Sequence, residues 1–293
     1  MPDIDPARVR RLFLRRPAAG ADFILREVAG RMAERLDYIR LDPADVLDAG
    51  CGGGADLERA AQRYPAARLV GVDVTAVPAV PAGWRGLAAR WARRPRVLRV
   101  RADFGALPFA SGRFDLLWSN CALHWHPAPH LVLPEWHRVL RVGGLVLFSV
   151  FGPDTLKEVR AAFAAADPGH APAAHVADFT DLHDYGDMLV ASGFATPVMD
   201  VERLTLTYAD AASLWRDVRA LGGNPAAARS RGLFGRTARR RLDQALDASR
   251  DATGRYQLSF EIIYGHAWRA EPRQTARGEA IVRFEPGRQR RGR

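Results

Sequence analysis

Lysine is almost missing from this chain. Lys157 is the single lysine among 43 basic side chains, and the others are all arginine. Genomic base bias accounts for arginine in place of lysine, but not for the formal net charge of +10. That sign favours an acidic partner: nucleic acid, an anionic membrane or an acidic carrier protein. Cysteine is scarce as well. Cys51 and Cys121 are too few for a disulfide framework, and reduced thiols in the cytoplasm are expected. There is no run of about 18 apolar residues, so no membrane span is expected. Arg8–Arg16 is rich in arginine, yet Asp3 and Asp5 precede it and neither an apolar segment nor a small-residue cleavage site follows. A targeting peptide is therefore not expected. Internal repeats are absent too. What remains is 293 residues, enough to bury a full core.

The patterning alternates. Apolar Phe23, Ile24, Val28, Met32, Leu36 and Ile39 recur at helical spacing, so residues 8–41 read as helical up to Asp42-Pro43. Near-continuous apolar runs then mark strands at Asp45–Asp48, Arg68–Asp73, Val97–Ala102, Phe114–Asn120 and Leu145–Val150. Helices are predicted at Asp56–Tyr64 and His130–Leu140, with a short one near Trp84–Arg93. Such strands, separated by helices, imply a parallel sheet covered on both faces. Beyond Phe151-Gly152-Pro153 the sequence predicts helices at Thr155–Ala166 and Leu182–Ser192, the latter capped by Gly193, and strands at Thr196–Tyr208 and Tyr256–Ala270. The segment 209–255 between these strands reads as helical, broken at Leu221-Gly222-Gly223-Asn224-Pro225, and is assigned as a lid. The resulting division is a helical N-terminal element (1–43), a core (44–208), an Arg-rich lid (209–255), the last core strand (256–270) and a basic tail (271–293).

The chemistry concentrates where strands end. Val46-Leu47-Asp48-Ala49-Gly50-Cys51-Gly52-Gly53-Gly54 is a buried strand breaking into a glycine turn that opens a helix. Glycine there permits unusual φ values and lets a ligand approach the main chain. Asp73 follows about 20 residues later, where a carboxylate can accept ribose hydroxyls. Asp103-Phe104 follows the third strand, placing an acceptor for an adenine amino group beside an aromatic ring. Asn120 ends the fourth, and His137–Leu145 turns from helix to strand. Asp115 reads as structural and Cys51 as a small filler. His124, Trp125 and His126 read as an aromatic loop packing over the ligand. They lack metal-ligand spacing, and His170, His175 and His183 are scattered, so no metal is expected.

Together, over about 100 residues, these motifs resemble the class I S-adenosylmethionine-dependent methyltransferases. The resemblance implies a Rossmann-like α/β fold with a seven-stranded, mostly parallel sheet, helices on both faces and S-adenosyl-L-methionine as cofactor. It implies cofactor binding by Asp48, Gly50, Gly52, Gly54, Asp73, Val74, Asp103, Phe104 and Asn120. Within that family the chain looks most like the malonyl-[acyl-carrier protein] O-methyltransferases of early biotin (pimeloyl) synthesis. The carrying residues are Leu47–Gly52, Leu107-Pro108-Phe109, Trp118–Trp125, Leu221–Asn224 and Arg255–Phe260. One departure is Phe13-Leu14-Arg15-Arg16-Pro17, which lacks the tyrosine many of these enzymes carry near their start. Arg15-Arg16-Pro17, Phe151–Leu156 and Arg277–Phe284 are similar instead to respiratory complex I assembly factors, implicated in arginine hydroxylation of a partner. A small-molecule or quinone methyltransferase also stays open, while nucleic acid is disfavoured because no N-P-P-Y-type loop is present.

A carboxylate acceptor is already ionised at neutral pH, so no catalytic residue is assigned and the mechanism is one of positioning. Arginine suits a carboxylate bidentately. Segment 209–255 holds ten arginines against five aspartates, and Arg219, Arg229, Arg231 and Arg236 are the candidates to meet the acyl carboxylate or an acidic acyl carrier protein.

Overall fold

The computed structural model describes residues 3–15, 22–75, 97–230 and 235–271. Arg231, the helix expected near Trp84–Arg93 and the C-terminal tail from residue 272 lie outside them. In chain order the elements are α1 (Pro6–Leu14), α2 (Asp22–Arg35), β1 (Asp45–Ala49), α3 (Ala55–Arg63), β2 (Arg68–Asp73), β3 (Val97–Arg101) and β4 (Phe114–Asn120). They continue with α4 (Pro129–Val139), β5 (Leu140–Phe151), α5 (Lys157–Ala166), α6 (Leu182–Ala191), β6 (Phe194–Tyr208), α7 (Ala211–Ala220), α8 (Arg236–Ala248) and β7 (Tyr256–Arg269).

The strands form one sheet in the order β3-β2-β1-β4-β5-β7-β6. The first five pair in parallel, and β7 runs antiparallel to both β5 and β6. Alternation along each strand divides the core between two faces. Val46, Leu116, Leu145 and Leu147 pack with α2, α3, α5 and the inserted helices α7 and α8. Leu47, Leu117, Val146 and Phe148 pack with α4 and α6 instead. This is the Rossmann-like arrangement expected, with helices on both faces and two of them inserted between the last two strands.

At the N-terminal edge of the strands, Asp45 is buried against Arg68, Arg113 and Arg141, which hold its carboxyl down at about 2 despite the opposing effect of burial. Asp115 accepts the N–H groups of Ala44 and Asp45, each at 2.9 Å, the structural role expected of it. The other edge is left for chemistry.

Two expectations need correction. The single helix over residues 8–41 is instead α1 and α2, followed by a short 3-10 turn at Leu36–Tyr38. The sequence between the two helices contains Pro17 and Gly20, helix breakers that the apolar spacing overrode. Gly143-Gly144 does not separate helix from strand, because β5 already begins at Leu140. The glycines lie in the strand where its pairing with β4 shifts register, and Gly143 takes φ +80°.

The N-terminal element is fastened to the insertion. Ile4 bridges Ala226, and the Asp5 N–H donates to the Pro225 carbonyl at 3.0 Å. Phe13 meets Trp125 edge-on at 5.3 Å. No helix among the described residues is long and apolar enough to cross a membrane.

Candidate active site

The turn after β1 lies at the C-terminal edge of the sheet, between the ends of β2 and β4. Gly50 and Cys51 both donate their N–H to the Val72 carbonyl, at 2.8 and 3.1 Å, which folds the turn back over β2. Gly50 has φ +88°, and a Cβ there would stand 2.3 Å from the Cβ of Ala122. Only glycine satisfies both conditions. Gly52, at φ +46°, has open space where its side chain would be, and Gly54, at φ +89°, caps α3.

Asp73 ties this turn to the end of β2. One carboxylate oxygen accepts the Gly52 N–H at 3.0 Å, and the other accepts the Thr75 N–H and hydroxyl at 2.8 and 2.7 Å. Val74 is half-buried beside it. Asp48 is buried beneath the turn, and its Oδ2 has no hydrogen-bond partner. Burial, with Asp56 and Asp73 nearby, pushes its carboxyl well above the usual range, against the pull of Arg99. A buried acid with an unused oxygen beside a glycine cradle suits a ligand carrying positive charge or N–H donors.

Asp103 lies half-exposed, its Oδ1 taking the Gly105 N–H at 2.8 Å. Phe104 is buried against Trp136 and His126, with its ring edge 3.7 Å from the place of a Gly50 Cβ. It therefore supports the turn from below. Asn120 donates to the Leu25 carbonyl at 2.9 Å and to Asp56 at 3.0 Å, and accepts from the Ser149 hydroxyl at 2.9 Å. Asp56 belongs to this group as well, although the sequence pattern does not single it out. It also accepts the Trp118 indole N–H at 3.2 Å, while burial raises its carboxyl. Its signal in the sequence was an acid in the first turn of a helix, which the helix dipole explains equally well.

A second space opens on the far side of the loop after β4. It is a cavity of about 220 Å³ bounded by Trp125, Phe151, α5, residues 175–179 and the insertion from Trp215 to Asn224. Its wall is largely apolar. Arg219 stands exposed in that wall, and its guanidinium has no hydrogen bond or ion pair among the described residues. Gly222 comes close to Trp125, and Asn224 bonds the Ala173 carbonyl at 2.9 Å, so the broken-helix motif shapes the rim.

The other candidate arginines are not gathered here. Arg229 donates to the Ala226 carbonyl at 3.0 Å and lies 3.9 Å from Asp5, holding the insertion to the N-terminus. Arg236 is exposed at the start of α8, outside the cavity wall. Cys51 and Cys121 are both buried and form no disulfide among the described residues, and burial raises the Cys51 thiol, as suits a filler. His124 packs inward against Trp125, Phe151 and Phe179.

Residues 47–148, which span the whole cradle, match the methyltransferase domain family. Along its length the chain is 46% identical to the malonyl-[acyl-carrier protein] O-methyltransferase of Laribacter hongkongensis, covering 96% of each chain. It is 42% identical to the enzyme of the same name from Gallionella capsiferriformans, again over 96% of each. The chain belongs to this methyltransferase family. Among solved structures, the YcgJ protein of Bacillus subtilis superposes with a TM-score of 0.54 at 16% identity, over 84% of this chain and 100% of that one. That likeness concerns the fold alone.

Proposed function

We propose that the chain uses S-adenosyl-L-methionine to convert the free carboxyl of malonyl-[acyl-carrier protein] to its methyl ester, an early step toward the pimeloyl part of biotin. The observation that carries this reading is one loop serving two spaces. Ala122, just after β4, closes on Gly50 in the glycine cradle, while Trp125, three residues on, walls the cavity that Arg219 borders. A donor held in the cradle and an acceptor entering the cavity would thus meet at the end of β4. The names of the relatives point to the same acceptor.

The residues present fit the cofactor. The glycine turn offers close backbone approach, Asp73 and Asp103 offer acceptors for ribose hydroxyls and an adenine amino group, and the unused oxygen of Asp48 suits cationic character. When bound, S-adenosylmethionine supplies a methyl group on a positively charged sulfonium. The protein's task is to place the acceptor carboxylate in line with that methyl and to keep water out. The carboxylate has an ordinary pKa of about 4, so no side chain has to remove a proton. Arg219 would draw the acyl carboxylate to the rim. The basic insertion would face an acidic carrier protein.

Labelled methyl transfer to malonyl, succinyl and acetyl carrier protein tests the reading. Transfer to malonyl and none to acetyl is expected. Absence of transfer to malonyl-carrier overturns it.

A further inference from the structure

Asp167, His170 and His175 are spread over nine residues of a loop rich in Ala and Pro, and the fold draws them together just past the end of α5. One carboxylate oxygen of Asp167 lies 3.0 Å from Nδ1 of His170 and 2.9 Å from Nε2 of His175. The three ligand-capable atoms lie within 4.8 Å of one another. We propose that these side chains bind a divalent transition metal ion, with zinc the first candidate.

The donor set argues for that class. Two imidazole nitrogens and one carboxylate oxygen suit zinc, cobalt or nickel, whereas magnesium and calcium prefer oxygen alone. Zinc bonds such atoms at about 2.0–2.2 Å, which sets tetrahedral donors roughly 3.3 Å apart. Two of the separations are already close to that, and the third, no more than 4.8 Å, needs at most a small movement of one ligand. The His170 side chain is 56% exposed and can supply the movement. His175 is fixed: its side chain is 8% exposed, and its ring lies parallel to Phe163 at 4.5 Å. Three protein ligands leave one position for water.

The consequence concerns the cavity. Phe163 and His175 both stand in its wall, so an ion held by His175 would stiffen the loop 167–175 against α5. The site shares no residue with the glycine cradle, and the proposal does not depend on which acceptor is methylated.

Equilibrium dialysis of the whole chain, stripped with chelator and then exposed to micromolar zinc, tests it. One zinc per chain is expected by elemental analysis, with a rise in melting temperature. Cobalt(II) should give visible absorption bands typical of a nitrogen- and oxygen-ligated site. His170→Ala, an exposed change that leaves the stack on Phe163 in place, should weaken zinc binding at least about tenfold. It should abolish the rise in melting temperature, with the far-ultraviolet circular dichroism unchanged. His170→Cys should restore binding. Zinc affinity equal in wild type and His170→Ala, or no zinc retained by the wild type, overturns the proposal.

Discussion

The Gly52 N–H donates to the carboxylate of Asp73 at 3.0 Å, joining the glycine turn after β1 to the end of β2. The residue proposed to meet a ribose therefore also holds the turn that would approach the rest of the cofactor. Asp73→Ala is expected to weaken S-adenosylmethionine binding by about 1–3 kcal/mol, as for lost hydrogen bonds to a charged group. That corresponds to a rise in Kd of roughly 5- to 150-fold. Asp73→Asn keeps one acceptor oxygen and should fall between. Calorimetric titration measures both, and an unaltered Kd for Asp73→Ala removes the residue from the site.

Gly50 and Gly52 both take positive φ, but only Gly50 is crowded. Gly52→Ala meets nothing within 4 Å and should cost only the backbone strain, about 1–2 kcal/mol. Gly50→Ala adds a collision with Ala122 and should cost more, about 3 kcal/mol or above. The double change Gly50→Ala with Ala122→Gly removes the collision and leaves the strain, so it should recover part of the loss. Urea unfolding orders the four proteins, and equal costs at the two glycines would show that Ala122 does not confine the turn.

What the sequence made legible follows from how local each signal is. Asp48, the glycines and Asp73 sit where apolar runs stop, and β2 and β4 have the boundaries their residues imply. Asp56 stayed hidden because its partners Trp118 and Asn120 lie more than 60 positions away and only the fold brings them near. The four arginines illustrate the same limit. Composition made Arg219 and Arg229 equivalent, whereas the structure gives one to the cavity and the other to the N-terminus. His170 and His175 looked scattered because a loop carries no periodicity from which to read their convergence on Asp167.

His124 ties native stability to pH. It is buried, and its Nδ1 accepts the Phe151 N–H at 3.3 Å, which leaves the proton of the neutral ring on Nε2. Burial lowers its pKa from an ordinary 6.5 to about 3. Between these values the unfolded chain binds a proton that the native protein excludes. Native stability from this group is thus fully present above pH 6.5 and is lost as pH falls toward 3. The slope is about 1.4 kcal/mol per pH unit. Asp48, whose carboxyl is raised, contributes with the opposite sign, so the wild-type curve alone does not isolate the histidine. Comparison with His124→Gln does. From pH 7 to pH 5 the wild type should lose about 2 kcal/mol more than the variant in urea unfolding. Parallel curves would mean that His124 takes up a proton in the native state.

Replacing Arg219 tests the proposal that the cavity reads the acyl carboxylate. Its guanidinium has no ion pair among the described residues, so removing it leaves no orphaned acid behind. Arg219→Ala should therefore leave the fold intact and act on the acceptor. A charged hydrogen bond at an exposed rim is worth about 1.5 kcal/mol, or roughly tenfold in kcat/KM, carried by KM for malonyl-carrier. Arg219→Lys keeps the charge without the planar fork and should be intermediate. Arg236→Ala, outside the cavity, should leave KM within about twofold if only local contacts matter. Arg229→Ala should lower stability instead, since that side chain links the Ala226 carbonyl to Asp5 at the N-terminus. Steady-state rates with malonyl-carrier separate these outcomes. If Arg219→Ala leaves KM unchanged while Arg236→Ala raises it, the carboxylate or its carrier is met on α8 and the cavity rim is not the acceptor's clamp.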